Sequence, residues 1–278
     1  MSASARPEIA VETSGRGGLL LPVASLWWRE VVRFYRQRSR VAGVILSPLV
    51  FWLVIGSGFG TSFRADVSGG QQHYLEYFFP GILIMIVLFT SIFAMMSVIE
   101  DRREGFLLSV LVAPVDRSAI VLSKVLGGTT LSAIQGLLFL ALAPFLGVRF
   151  GWQQLALVMV IVFLVSLSLT ALGFAVAWQL DSSQGFHAIV NLFLIPLWLL
   201  SGALFPISGA SGWIQVVMRL NPLTYGVEAL RAALFPATRA AGTGTSTEMS
   251  LAILAGFSAA MFAVSYALAS RRSTRAMG

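Results

Sequence analysis

Residues 81–104 read GILIMIVLFTSIFAMMSVIEDRRE, and this stretch decides the fold. No side chain from Gly81 to Ile99 is charged. A helix rising about 1.5 Å per residue over that length crosses most of the roughly 30 Å hydrocarbon core of a bilayer. A helix on a soluble core would keep a polar face, and this one has none. The charge run from Glu100 to Glu104 then marks the membrane surface.

The rest of the chain agrees. Its 278 residues are 57% hydrophobic and 11% charged, against about a quarter charged in a soluble domain, and mean hydropathy is +0.83. Spans are expected at about 41–60, 79–99, 125–146, 154–178, 188–205 and 249–270. Residues 1–19 read as a disordered tail and not as a signal peptide, and residues 20–278 as a single transmembrane domain. In the fifth span His187, Asn191 and Pro196 interrupt the apolar run. They make either a kink that neighbouring helices satisfy or a polar lining beside a pathway, with His187 and Asn191 as its candidates.

Outside the spans, residues 26–40, LWWREVVRFYRQRSR, form an amphipathic helix. Trp27, Trp28, Val31, Val32, Phe34 and Tyr35 share one face, Arg29, Glu30, Arg33, Arg36 and Gln37 the other, so the aromatic side is expected in the headgroups and the arginines toward water and anionic lipid. Residues 100–124 hold the charge run, Gly105, a short apolar helix over 106–112, Pro114, and Asp116 placed to cap the third span. Such a helix across the membrane face suits a docked cytosolic protein or an ordinary loop. Residues 206–248 are too long for a plain turn. Ser211 precedes a short amphipathic helix, GWIQVVMRL. The next helix starts at Asn221 as N-cap with Pro222 at its first position, and Glu228 and Arg231 are spaced to pair. Together they read as a re-entrant helical hairpin between spans five and six, acting as a lid or a gate. Residues 237–248 read as a flexible polar linker. The aromatics Trp52, Tyr77, Phe78, Phe79 and Trp198 suit sugar stacking or an aromatic belt.

The cations set the orientation. Net charge is +7, but the cations flank apolar runs, which points to lipid and topology rather than nucleic acid. With both ends inside the cell membrane, only Arg64, Arg149, Arg219, Arg231 and Arg239 of the 19 cationic residues fall outside. The chain has no cysteine, and His73 and His187 are far apart, so no metal site is expected. The one lysine, Lys124, stands in LSKVL, so no phosphate-cradling GxxxxGK[ST] loop exists. No cofactor is expected on this chain. Asp66, Glu76 and Glu248 fall in outer segments and Glu100 and Asp181 at inner ends, so no buried acidic run is expected either. If the protein pumps, the energy enters through another subunit.

Two motifs then carry a family resemblance. EDRREGFLLSVLVAPVDRSAIVLSKVLG, with Glu104, Gly105, Val110 to Val115 and Lys124, and LNPLTYGVEALRAALF, with Asn221, Pro222, Tyr225, Glu228 and Arg231, resemble the permease subunit of an ABC-2 type ATP-binding-cassette exporter, as does FFPGILIM at the start of span two. The resemblance covers about residues 20–272. It implies a six-span half-transporter working with a second permease copy, identical or related, and two cytosolic ATPase chains that bind ATP and Mg. It makes 106–112 the coupling helix, with Glu100, Arg102, Arg103, Glu104, Gly105, Phe106, Leu107, Leu108 and Leu111 as ATPase-coupling residues. It makes 26–40 an interfacial connecting helix and places permease–permease contact on spans one and five. One departure is Leu108, where many members are acidic. Members move drugs, lipid-linked products or polysaccharides outward. A non-transporting membrane scaffold shares this composition and is the competing reading, while a membrane-embedded enzyme lacks the inward-facing paired acids it would need.

Overall fold

The computed structural model describes residues 20–59, 65–67, 70–72, 74–112, 116–148, 151–235 and 244–275. The tail expected over 1–19 and most of the linker expected over 237–248 lie outside the described residues.

Among the described residues six helices are long and apolar enough to cross a membrane: Val41–Gly58, Tyr74–Arg103, Arg117–Leu146, Trp152–Gln179, Ser183–Ala203 and Thr247–Ser270. They are called spans one to six, and each overlaps an expected span. Span two starts at Tyr74, a turn before the apolar run, because Tyr74, Tyr77 and Phe78 are buried although polar neighbours surround them in sequence. It is the central pillar, packed on spans one, three and four. An N-terminal helix, Leu20–Arg36, precedes span one and lies along span three. A short helix, Phe106–Val112, called the inner helix after the side expected for it, follows span two. Two further helices, Gly212–Leu220 and Pro222–Leu234, called the outer helices on the same expectation, follow span five. Among the described residues the one strand pair is an antiparallel hairpin, Ala65–Val67 with Gly70–Gln72, which the hydropathy pattern does not reveal. The architecture is otherwise the all-α membrane bundle expected.

Span five is interrupted as expected, but its sharpest break lies beyond Pro196. The helix widens at Val190–Leu194 and again at Leu199–Ala203, where Leu200 has φ −90 and ψ 21 and Gly202 has φ +78. That left-handed conformation is open to glycine and strained for residues with a Cβ. Sixth and fourth spans are joined by two serine rungs: Ser258 Oγ donates to the Leu164 carbonyl at 3.0 Å or to its own Leu254 carbonyl at 2.8 Å, and Ser265 Oγ to Ala171 at 2.7 Å or Met261 at 2.9 Å.

The aromatic expectation needs correction. Trp52, Tyr77, Phe78, Phe79 and Trp198 are all under a tenth exposed, so they form neither a belt at the headgroups nor an open stacking platform. Trp52 packs edge-on against Phe79 at 5.6 Å, and Phe78 lies 6.3 Å from Trp198. Trp52 Nε1 donates to the Leu75 carbonyl and Trp198 Nε1 to that of Gly81, which satisfies both indoles internally.

Candidate functional site

The C-terminal end of span two carries Ser97 and Asp101 one helical turn apart, both facing the N-terminal helix and span three. There they meet Lys124. Its Nζ donates to Glu30 Oε1 at 2.6 Å, to Ser97 Oγ at 3.0 Å and to Asp101 Oδ2. Ser97 Oγ also lies 2.7 Å from Glu30 Oε2. Arg29 forks onto Asp101 with Nη2 at 2.9 Å and Nη1 at 3.2 Å. Arg33 reaches Asp101 at 2.5 Å, Glu100 at 3.0 Å and Glu104 at 3.3 Å. Asp101 is 0% exposed, Lys124 5% and Glu30 6%. Charges so far from water persist only when paired and hydrogen-bonded, and here three helices supply the partners. Burial opposes the Arg29 charge, but its hydrogen bond to Asp101 and the surrounding carboxylates hold its pKa above the ordinary arginine value.

This cluster corrects two expectations. Arg29 and Arg33 turn inward onto Asp101 and stay only 31% and 21% exposed, rather than reaching out to water and anionic lipid. The buried stripe of the N-terminal helix runs through Val23, Glu30 and Phe34, with Trp27 Nε1 donating to Thr130 Oγ1 at 3.1 Å. Helical spacing is obeyed, but one member of the stripe is a carboxylate, so hydrophobicity alone assigned Glu30 to the wet face. Trp28 and Tyr35, 60% and 40% exposed, remain on the outside. Glu30 and Asp101 are moreover buried acids on two separate helices, which the expectation of no buried acidic run did not place. The available signals were one acid inside an arginine-rich amphipathic helix and the chain's sole lysine at the inner end of a span.

The residues expected to couple to an ATPase divide. Glu100 and Glu104 bind Arg33. Arg102 donates to the carbonyls of Trp178 and Leu180 and to Asp181 Oδ1, each at 2.7–2.8 Å, so it closes the end of span four, whose last carbonyls lack helical partners. Arg103 Nε donates to the Asp181 carbonyl. Gly105, φ +76, turns the chain into the inner helix. Phe106 lies 3.6 Å under the Arg29 guanidinium, and Leu107 is buried while Leu108 is 68% and Val112 80% exposed. The Leu111 side chain lies outside the described set. Asp116 stands at the N-cap of span three, but its side chain makes no cap bond. Its carbonyl accepts from Ala119 instead.

On the other side, Asn221 caps its helix by accepting from Leu223 N at 3.0 Å, with Pro222 in the first turn. Its Nδ2 also donates to the carbonyls of Leu197 and Leu200, at 2.6 and 3.1 Å. Tyr225 donates to the Arg219 carbonyl, and Glu228 accepts from Thr245. Arg231, spaced to meet Glu228, has two partners that spacing does not show: its Nη2 donates to the Gly202 carbonyl at 2.9 Å and its guanidinium lies 4.1 Å over the Tyr77 ring. Ser211 makes no side-chain cap bond. His187 sits half-buried, 5.7 Å from the Phe93 ring, and Asn191 is exposed beside Leu192 and Phe193. Among the described residues no three His, Asp or Glu side chains group as metal ligands.

The family model described as ABC-2 type transporter matches residues 23–235. A transport permease named ycf38 from Cyanophora paradoxa is 30% identical over 206 residues, 73% of this chain and 70% of that protein. The daunorubicin resistance ABC transporter permease DrrB1 of Streptomyces coeruleorubidus is 24% identical over 214 residues, 73% of this chain and 71% of that one. The inner membrane transport permease YadH of Escherichia coli K12 is 27% identical over 219 residues, 74% and 80% of the two chains.

Proposed function

Because the chain belongs to the ABC-2 type transporter family, and so is a multi-pass membrane transport component, we propose that it is the permease half of an ATP-driven exporter worked by a separate cytosolic ATPase. One observation carries this reading. The inner helix is two-faced: Leu107 is built into the bundle while Leu108 and Val112 are left exposed. An exposed apolar face at the rim of a membrane bundle is an interaction surface. Phe106, stacked on Arg29, ties that surface to the Asp101–Lys124 cluster and through it to span two, span three and the N-terminal helix. A push on the inner helix by a docked ATPase therefore reaches three helices at once.

In this reading both termini are cytosolic in the cell membrane, and the hairpin 206–248 faces outward. ATP and Mg belong to the ATPase. Two permease copies meet two ATPases, the copies touching through spans one and five. Those spans adjoin at Phe51 and Trp198, whose rings are 6.2 Å apart, and they expose Leu46, Val50, Val54, Leu192 and Phe193. Asn191 is exposed in span five as well. For cargo, the drug-resistance permease among the relatives favours a drug over a polysaccharide.

The test is co-expression with a cytosolic ABC ATPase and purification through the permease. Leu108→Ala with Val112→Ala leaves the core intact, and it should lose most ATPase capture and daunorubicin efflux from loaded cells. Capture and efflux at parental levels would overturn the assignment. Leu107 is unsuited to this test, because truncating a buried leucine costs about 2–5 kcal/mol of stability by itself.

A further inference from the structure

Span five is already broken near its outer end, and the carbonyls at the break are held from outside the span. Ordinary helices satisfy their own carbonyls, and a free one in hydrocarbon is strongly unfavourable. Here Gly202 and Leu200 leave helical geometry. The Gly202 carbonyl accepts from the Tyr77 hydroxyl at 3.1 Å and from Arg231 Nη2 at 2.9 Å. Asn221 holds the carbonyls of Leu197 and Leu200. The two holders of Gly202 stand on different elements, Tyr77 on the packed second span and Arg231 on the outer helix. Arg231 is a cation only 4% exposed, and among the described residues its Nε has no hydrogen-bond partner. Most buried side-chain donors in folded proteins are met. An unmet donor beside the break is one that water satisfies once the outer side hydrates.

We propose that Arg231, with Tyr77, latches the outer gate: the Arg231–Gly202 bond holds the broken end of span five shut, and outward passage of cargo requires it to part while water takes over the released carbonyls. Arg231 is a positioning residue, acting on cargo through span five. The proposal deepens the reading of the hairpin as the outer side and rests on it.

The chain has no cysteine, so a single probe is clean. Ser201 is fully buried beside Gly202, and Ser201→Cys reports opening. Right-side-out membrane vesicles holding the full chain are treated with an impermeant maleimide, with no ATPase required. Labelling should be slow in the Ser201→Cys parent, at least tenfold faster with Arg231→Gln, severalfold faster with Tyr77→Phe, and near the parent with Arg231→Lys, which keeps a cationic donor. Tyr77→Phe preserves the ring and decides the matter if Arg231→Gln fails to insert. A Thr243→Cys control reads orientation separately. No reaction there overturns the outward reading of the hairpin. Reaction there, with Ser201→Cys labelling unchanged by Arg231→Gln and Tyr77→Phe, overturns the latch alone.

Discussion

Asp101 and Lys124 offer the sharpest perturbation of the inner cluster. Asp101→Asn removes a carboxylate at 0% exposure that three cations share. Arg29 and Arg33 keep other carboxylates within reach, Glu30 for the first and Glu100 and Glu104 for the second. Lys124 keeps only Glu30 among its described ion pairs. Lys124→Met does the converse: Asp101 retains the Arg29 fork and Arg33, and Glu30 retains Ser97 and Arg29. Removing one member of a buried pair costs about 3–5 kcal/mol, whereas replacing both with apolar or neutral groups is often far cheaper. Each single variant should therefore lose about 3–5 kcal/mol. The double variant should lose about 2 kcal/mol or more less than the sum of the singles, the excess over additivity that contacting residues show. The assay is equilibrium unfolding in mixed micelles, run as a double-mutant cycle. Singles costing under about 1 kcal/mol, or a cycle additive within about 0.5 kcal/mol, would refute the claim that these charges hold one another in place.

Two further outcomes follow. Asn221→Ala removes an N-cap acceptor, worth about 1 kcal/mol, and leaves the Leu197 carbonyl without its Asn221 donor, adding about 1–3 kcal/mol; a loss below about 0.5 kcal/mol in the same unfolding assay would contradict the capping geometry. Single cysteines at Thr243 and Ser273 should react and fail to react, respectively, with an impermeant reagent on intact cells, and the reverse would invert the topology.

The spans were legible because hydrocarbon imposes a length and forbids charge, and GILIMIVLFTSIFAMMSVI satisfies both without tertiary help. The inner helix 106–112 and the Asn221 cap were legible for equally local reasons: a glycine turn on one side, a capping side chain and proline on the other. What escaped was decided across elements. Glu30 looks like a surface acid until Lys124, 94 residues away, is placed beside it. Tyr77 looks like a belt tyrosine until Gly202 turns its carbonyl toward it. Arg102 reads as part of a charged rim, but the open end of span four claims it. In each case a polar group is answered by a partner that periodicity does not see.

The serine rungs between the sixth and fourth spans set a mechanical contrast with the inner cluster. Ser258 and Ser265 each have two acceptors in reach, one on the neighbouring span and one a turn back on their own helix. If the helices slide, each hydroxyl turns to its own backbone, and no polar group is stranded in hydrocarbon. Lys124 has no such fallback, since its partners all belong to other helices. The bundle thus has a weld where the N-terminal helix meets spans two and three, and a slip plane along its sixth span. A force entering at the weld is carried whole, and strain is shed where the serines let one helix glide over another.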